Sequence, residues 1–147
     1  MNESRHDDSI LVADDNHRIH LQTWRPGGDA SGVIQMLHGL GEHIGRYERF
    51  AHAAVARGFV VYGHDHRGHG LSEGERGYFA DENGWHKVVE DVRIVNDHIA
   101  EVQPTKPVIM LGHSMGSFIA ETFAMHYGER LQGLLLSGSS WPQRIQL

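Results

Sequence analysis

Apolar and polar residues recur along this chain with two periods, and the switches between them mark out its elements. Over residues 18–24, Ile19, Leu21 and Thr23 alternate with His20, Gln22 and Trp24, which predicts a half-exposed strand. Residues 9–13, across the turn Asp14-Asp15-Asn16, predict its antiparallel partner. The run Gly-Val-Ile-Gln-Met-Leu over 32–37 predicts a buried strand that runs straight into His38-Gly39-Leu40-Gly41. Within 45–57, Tyr47, Phe50, Ala51, Ala54 and Val55 fall at i, i+3, i+4, i+7 and i+8, one helix face closed by Gly58. A short strand at 59–62 leads into 63–77, too dense in Gly, His and charge for a regular element. Trp85, Val88, Val89, Val92, Val95, Ile99 and Val102 then mark a long amphipathic helix that ends before Pro104.

Val108-Ile109-Met110-Leu111 predicts a further buried strand. The helix after it, with Phe118, Ile119, Ala120, Phe123, Ala124 and Met125, is apolar on nearly every side and is predicted to be buried. Residues 131–137 predict a last strand, and the ten residues beyond predict no element. The order is two strands, then β-α-β-α-β-α-β. Apolar strands alternating with helices predict an α/β fold with a mostly parallel sheet covered on both faces. The whole chain, 1–147, is expected to be part of one domain.

Candidate chemistry sits where these strands end. Leu111-Gly112-His113-Ser114-Met115-Gly116 reads G-x-S-x-G between a strand and a helix, the context of a nucleophile elbow. On so tight a turn, side chains two before and two after the serine would collide. Gly112 and Gly116 remove them and let the Ser114 hydroxyl stand above the sheet edge. The N–H of Met115, at the first turn of the helix, then faces a forming oxyanion. A second donor is expected from the loop at 38–43, where Gly39 and Gly41 let the backbone turn an N–H inward; Leu40 is that donor.

Composition narrows the field further. The net charge is −6 with no basic run, which argues against a nucleic-acid partner. The chain has no cysteine, so disulfides and thiolate chemistry are excluded. Met1 to Asp8 is polar and no window approaches a membrane span, so a cytoplasmic location is expected. Thirteen histidines are unusual for this length.

Three motifs together carry a resemblance: His38-Gly-Leu-Gly-Glu-His43 with Arg46-Tyr47, Asp65-His-Arg-Gly-His-Gly70 with Ser72-Glu-Gly74 and Arg76-Gly77, and Gly112-His-Ser-Met-Gly116. The chain resembles the N-terminal portion of the monoacylglycerol lipase and lysophospholipase group of α/β-hydrolases, a serine aminopeptidase-like family. The resemblance implies that Ser114 attacks a carboxylic ester of a lipid-like substrate, with Leu40 and Met115 as oxyanion donors and neither cofactor nor metal. It also implies that the Asp65-to-Gly77 loop is structural. Ile44 stands where the family usually has serine, a change expected to alter hydrogen bonding in the loop but not its role. Thioesterase and peptidase versions of the same chemistry stay open.

The family's triad continues with an acid and a histidine after the serine. Here Glu121, His126 and Glu129 are the only candidates, all on or just past the helix leaving the elbow. At the helical rise, His126 falls roughly 17 Å from the serine end, out of reach of its proton. The fold is therefore expected to be truncated after about the sixth strand, with cap and last strands absent and the isolated chain inactive. The strand at 131–137 would then be a leucine-rich open edge that invites self-association or a complementing C-terminal segment. Contact with a membrane surface would come only through the absent cap.

Two other classes compete. One is a binding domain that keeps this fold without its chemistry. The other is a metal-dependent hydrolase, because His64-Asp65-His66 with His69 at a strand end has the spacing of a metal cluster. Gly68 and Gly70 fit a turn better than a ligand cage, which makes solvated loop residues the expectation for these histidines. His113 is expected to pack under the elbow.

Overall fold

The computed structural model describes residues 4–140. Its strands are β1 (Arg5–Val12), β2 (Arg18–Arg25), β3 (Gly32–Leu37), β4 (Phe59–His64), β5 (Val108–His113) and β6 (Gly133–Ser137). Its helices are α1 (Glu48–Val55), α2 (Gly84–Val102) and α3 (Met115–Tyr127). Branched apolar residues at β3, β4 and β5 build the parallel centre of one six-stranded sheet, ordered β1-β2-β4-β3-β5-β6. β6 extends it in parallel and the β1–β2 pair in antiparallel fashion.

Alternation along β3 shows how both faces are filled. Ile34 and Met36 join Trp24, Ala51 and Val55 beneath α1. Val33 and Leu37 face the other way, toward α2 and α3. On that second face Gln35 is fully buried, and its amide nitrogen donates to Val92 O at 3.0 Å while its oxygen accepts from Asn96. The chain passes from β3 to β4 on one side, then crosses back to place β5 on the other. β3 therefore lies at the point where the strand order reverses, and the loops leaving β3 and β5 flank the crevice that such a reversal opens.

Four expectations about the elements are corrected. β2 is not half-exposed: His20 and Trp24 are as buried as Ile19 and Leu21, because β1 and β4 flank it and α1 covers the Trp24 face. β1 begins at Arg5, not residue 9; its outer residues are exposed on both faces, leaving no alternation to read, and the ladder to β2 alone extends it. β4 runs on to His64, with Gly63 and His64 paired to Met36 and Leu37 of β3. α3 buries Ile119, Ala120 and Phe123, whereas Met125 is 77% exposed and Phe118 partly so; one face packs on the sheet and α2, and the opposite face has no cover among the described residues.

β6 starts at Gly133, and Leu134, Leu135 and Leu136 are exposed, as expected of a leucine-rich edge. Of the tail without a predicted element, residues 141–147 lie outside the described residues. No helix among the described residues is long and apolar enough to cross a membrane.

Candidate active site

Ser114 joins β5 to α3 with φ 52° and ψ −119°, a backbone conformation that a residue with a side chain adopts only when its surroundings force it. The forcing is visible. Its N–H donates to Ser137 O at 2.8 Å, and its carbonyl accepts from the Ser117 N–H at 2.8 Å and from Ser117 Oγ at 2.6 Å. A β-carbon at Gly112 would strike the Gly116 carbonyl and lie 2.8 Å from Ser117 Cα. One at Gly116 would strike the carbonyls of Leu37 and His38. Both glycines are thus required by close approach. Met115 is the first residue of α3, so its N–H lacks an intrahelical acceptor.

The loop after β3 lies against this turn: a β-carbon at Gly39 would sit 3.3 Å from Ser114 Cβ. Gly41 takes φ 69°, and the Leu40 side chain is 68% exposed. Glu42 anchors the loop by accepting the Gly39 N–H at 2.6 Å and the Tyr47 hydroxyl on the same carboxylate oxygen. Burial works to raise the Glu42 carboxyl, but these two donors, with Arg46 nearby, hold it below the usual carboxylate range. The cleft beside Leu40, about 710 Å³, is lined by Leu40, Glu42, His43, Leu71 and Arg76 and does not include Ser114.

The histidines at the end of β4 and in the loop that follows it are not solvated. His64 and His66 are fully buried and His69 nearly so. They also fail to converge as ligands. His66 Nε2 faces His38 O at 3.0 Å, His69 Nδ1 faces Arg67 O at 3.1 Å, and His64 meets the His66 ring edge-on at 5.0 Å. No set of three metal-binding side chains forms among the described residues. Burial lowers His38 to about 4 and His64 to about 3, and carries His66 well below its ordinary value, so all three rings are neutral at pH 7.

Asp65 organises the same region. Its carboxylate accepts the Ile44 and Leu71 N–H groups, each at 2.8 Å, and faces His20 Nδ1 at 2.9 Å. Burial opposes its ionisation, yet these donors hold it below its usual range. Ile44 is itself fully buried, and the bond through its backbone leaves its side chain free to pack in the α1 cluster. Arg67, two residues on, grips Asp91 of α2 through two 2.7 Å bonds and also reaches Asp15. The loop therefore buttresses the sheet's upper edge.

Other expected residues fall elsewhere. His113 does not pack under the elbow; it is half-buried, with Nδ1 3.1 Å from Ser137 Oγ beside Gly138, because β6 runs alongside. His126 lies in the last turn of α3, and Glu121 accepts from Ser139. The roles of Asp65, Glu42 and the His38–His66 contact were not read from the sequence. The signal available was a cluster of polar residues immediately after strand ends, with glycine at 70 where any side chain would strike Asp65.

Comparison with known proteins bears on the fold and the family. The chain is 40% identical over 121 residues to a monoacylglycerol lipase of Mycolicibacterium smegmatis, covering 82% of the chain and 42% of that protein. It is 39% identical to the human monoglyceride lipase, covering 86% of the chain and 41% of that protein. The chain thus spans about two fifths of the length of these relatives. Among solved structures, a thermostable carboxyl esterase from Bacillus coagulans superposes with a TM-score of 0.86 at 32% identity, over 92% of the chain and 44% of that one. A lipase in its open form gives 0.81 at 32% identity, over 90% and 44%. Residues 28–145 match the profile of the hydrolase family described as Serine aminopeptidase, S33, and with the strand order, the Ser114 turn and the glycine loop beside it, the chain belongs to that family of α/β-hydrolases.

Proposed function

We propose that this chain carries the nucleophile and the oxyanion hole of a serine hydrolase acting on carboxylic esters of lipid-like molecules. Ser114 Oγ would attack the ester carbonyl, and the N–H groups of Leu40 and Met115 would receive the negative charge that develops on its oxygen. The observation that carries this is the backbone of Ser114, held at φ 52° at the N-terminus of α3 with Gly39 packed against its β-carbon. The lipid-like substrate rests on the relatives named monoacylglycerol and monoglyceride lipase.

The attack needs a proton acceptor. In the order of this fold's triad the acid and the histidine follow the serine along the chain, and His126, the histidine that follows Ser114 here, lies in the last turn of α3, at the far end from the serine. We therefore take the general base and its carboxylate partner from outside the described residues. The 147-residue chain alone should label slowly with a fluorophosphonate probe; rapid labelling absent in Ser114→Ala would show a base within it. In the full gene product, Ser114→Ala should lower monoacylglycerol hydrolysis on the order of 10⁴-fold, and chelators should leave it unchanged. Activity abolished by chelation and restored by zinc would overturn the proposal.

A further inference from the structure

Two consecutive peptide groups beside Ser114 are held very differently. The His38–Gly39 peptide is bonded at both ends: its carbonyl accepts from His66 Nε2 at 3.0 Å and its N–H donates to Glu42 at 2.6 Å. The Gly39–Leu40 peptide is bonded at its carbonyl, which faces His38 Nδ1 at 2.7 Å. There is no cis peptide bond among the described residues, so the N–H of each peptide points opposite to its carbonyl. With the Gly39 carbonyl turned onto the buried His38 ring, the Leu40 N–H is turned away from it.

The contacts also fix the state of each ring. A carbonyl can only accept, so His38 Nδ1 carries the proton. The backbone N–H of His66 can only donate, and it meets His38 Nε2 at 2.9 Å, so that nitrogen is bare. By the same logic His66 Nε2, facing a carbonyl, is protonated. The two rings lie 4.1 Å apart between centroids. A second proton on His38 would set a donor against the His66 N–H. Burial resists that proton, although Asp65 and Glu42 favour it, with His69 opposing.

We propose that His38 and His66 form a tautomer-locked pair that positions the Leu40 N–H for the oxyanion. His38 holds the carbonyl of the same peptide, and His66 holds His38. Both are positioning residues, acting through the peptide and not on the substrate. This rests on Leu40 being the donor in the function proposed above. If the two rings served only as core filling, it would not matter which nitrogen of each ring carries the proton.

The test separates the two ring positions. In His38→Asn the amide nitrogen replaces Nδ1 and can still donate to Gly39 O; in His38→Gln the amide reaches the Nε2 position and that donor is lost. Long-range 1H–15N spectra of the unaltered chain should show a bare Nε2 on His38, with a coupling across the hydrogen bond to the His66 N–H. Crystal structures should show the Gly39–Leu40 peptide unmoved in His38→Asn and rotated in His38→Gln. In the full gene product, His38→Gln should lower kcat for a monoacylglycerol on the order of 10²-fold at unchanged KM, and His38→Asn should stay within about threefold. His66→Gln, which keeps the Nε2 donor, and His66→Asn, which drops it, should repeat the contrast at the second ring. A protonated Nε2 on His38, an unmoved peptide in His38→Gln, or equal kcat losses in the two His38 variants would overturn the pair's role. If the unaltered gene product shows no Ser114-dependent hydrolysis, the proposed function fails, while the spectra and crystal structures still decide whether the pair sets this peptide.

Discussion

At the scale of single residues, the site is a matter of which backbone groups are free. Leu40 contributes an exposed side chain and an N–H, and only the N–H belongs to the proposed chemistry. Leu40→Pro removes that N–H and should cost on the order of 10²–10³ in kcat in the full gene product, with a much smaller change in KM. Leu40→Ala keeps the N–H and should be mild. Steady-state kinetics of the two variants decides the assignment, because equal damage would place the role in the side chain.

At the scale of elements, the loop after β4 is tied to its surroundings by charge. The Arg67 guanidinium and the Asp91 carboxylate of α2 are both almost wholly buried and doubly bonded. Burial pushes Asp91 up even against Arg67, so the carboxylate depends on its partner. Arg67→Ala should therefore destabilise the protein by about 3–5 kcal/mol, the usual cost of leaving a buried charge unpaired. Arg67→Ala combined with Asp91→Leu should lose less than Arg67→Ala alone. Urea unfolding of the two variants tests this; a double variant no more stable than the single one would mean that the guanidinium matters through packing and not charge.

At the scale of the whole molecule, buried neutral histidines make stability depend on acid. His38, His64 and His66 are all held below the ordinary histidine value, so the unfolded chain binds protons that the folded one refuses. Their contribution is full above about pH 6.5 and falls as pH drops toward about 4, where His38 itself titrates. Urea midpoints measured from pH 7 to pH 4 should decline steeply. His64→Leu should flatten that decline, since an apolar residue there takes no proton in either state. An unchanged slope in His64→Leu would show that other groups set the acid limit.

The sequence by itself determined what depends on neighbours along the chain. Gly112 and Gly116 around Ser114, the apolar runs at 32–37 and 108–111, and the helix face of Val88, Val92, Val95 and Ile99 follow from sterics and periodicity, which operate over a few residues. The family was legible too, because its motifs are short and sit at strand ends. Tertiary structure decided what depends on which strand lies beside which. Trp24 looked half-exposed until β4 paired alongside it and α1 covered its face. His38 and His66, 28 residues apart, and His20 and Asp65, 45 apart, meet only because β4 lies between β2 and β3. A hydrogen bond needs its partners within about 3 Å at a set angle, and no local pattern specifies which distant residue will arrive there.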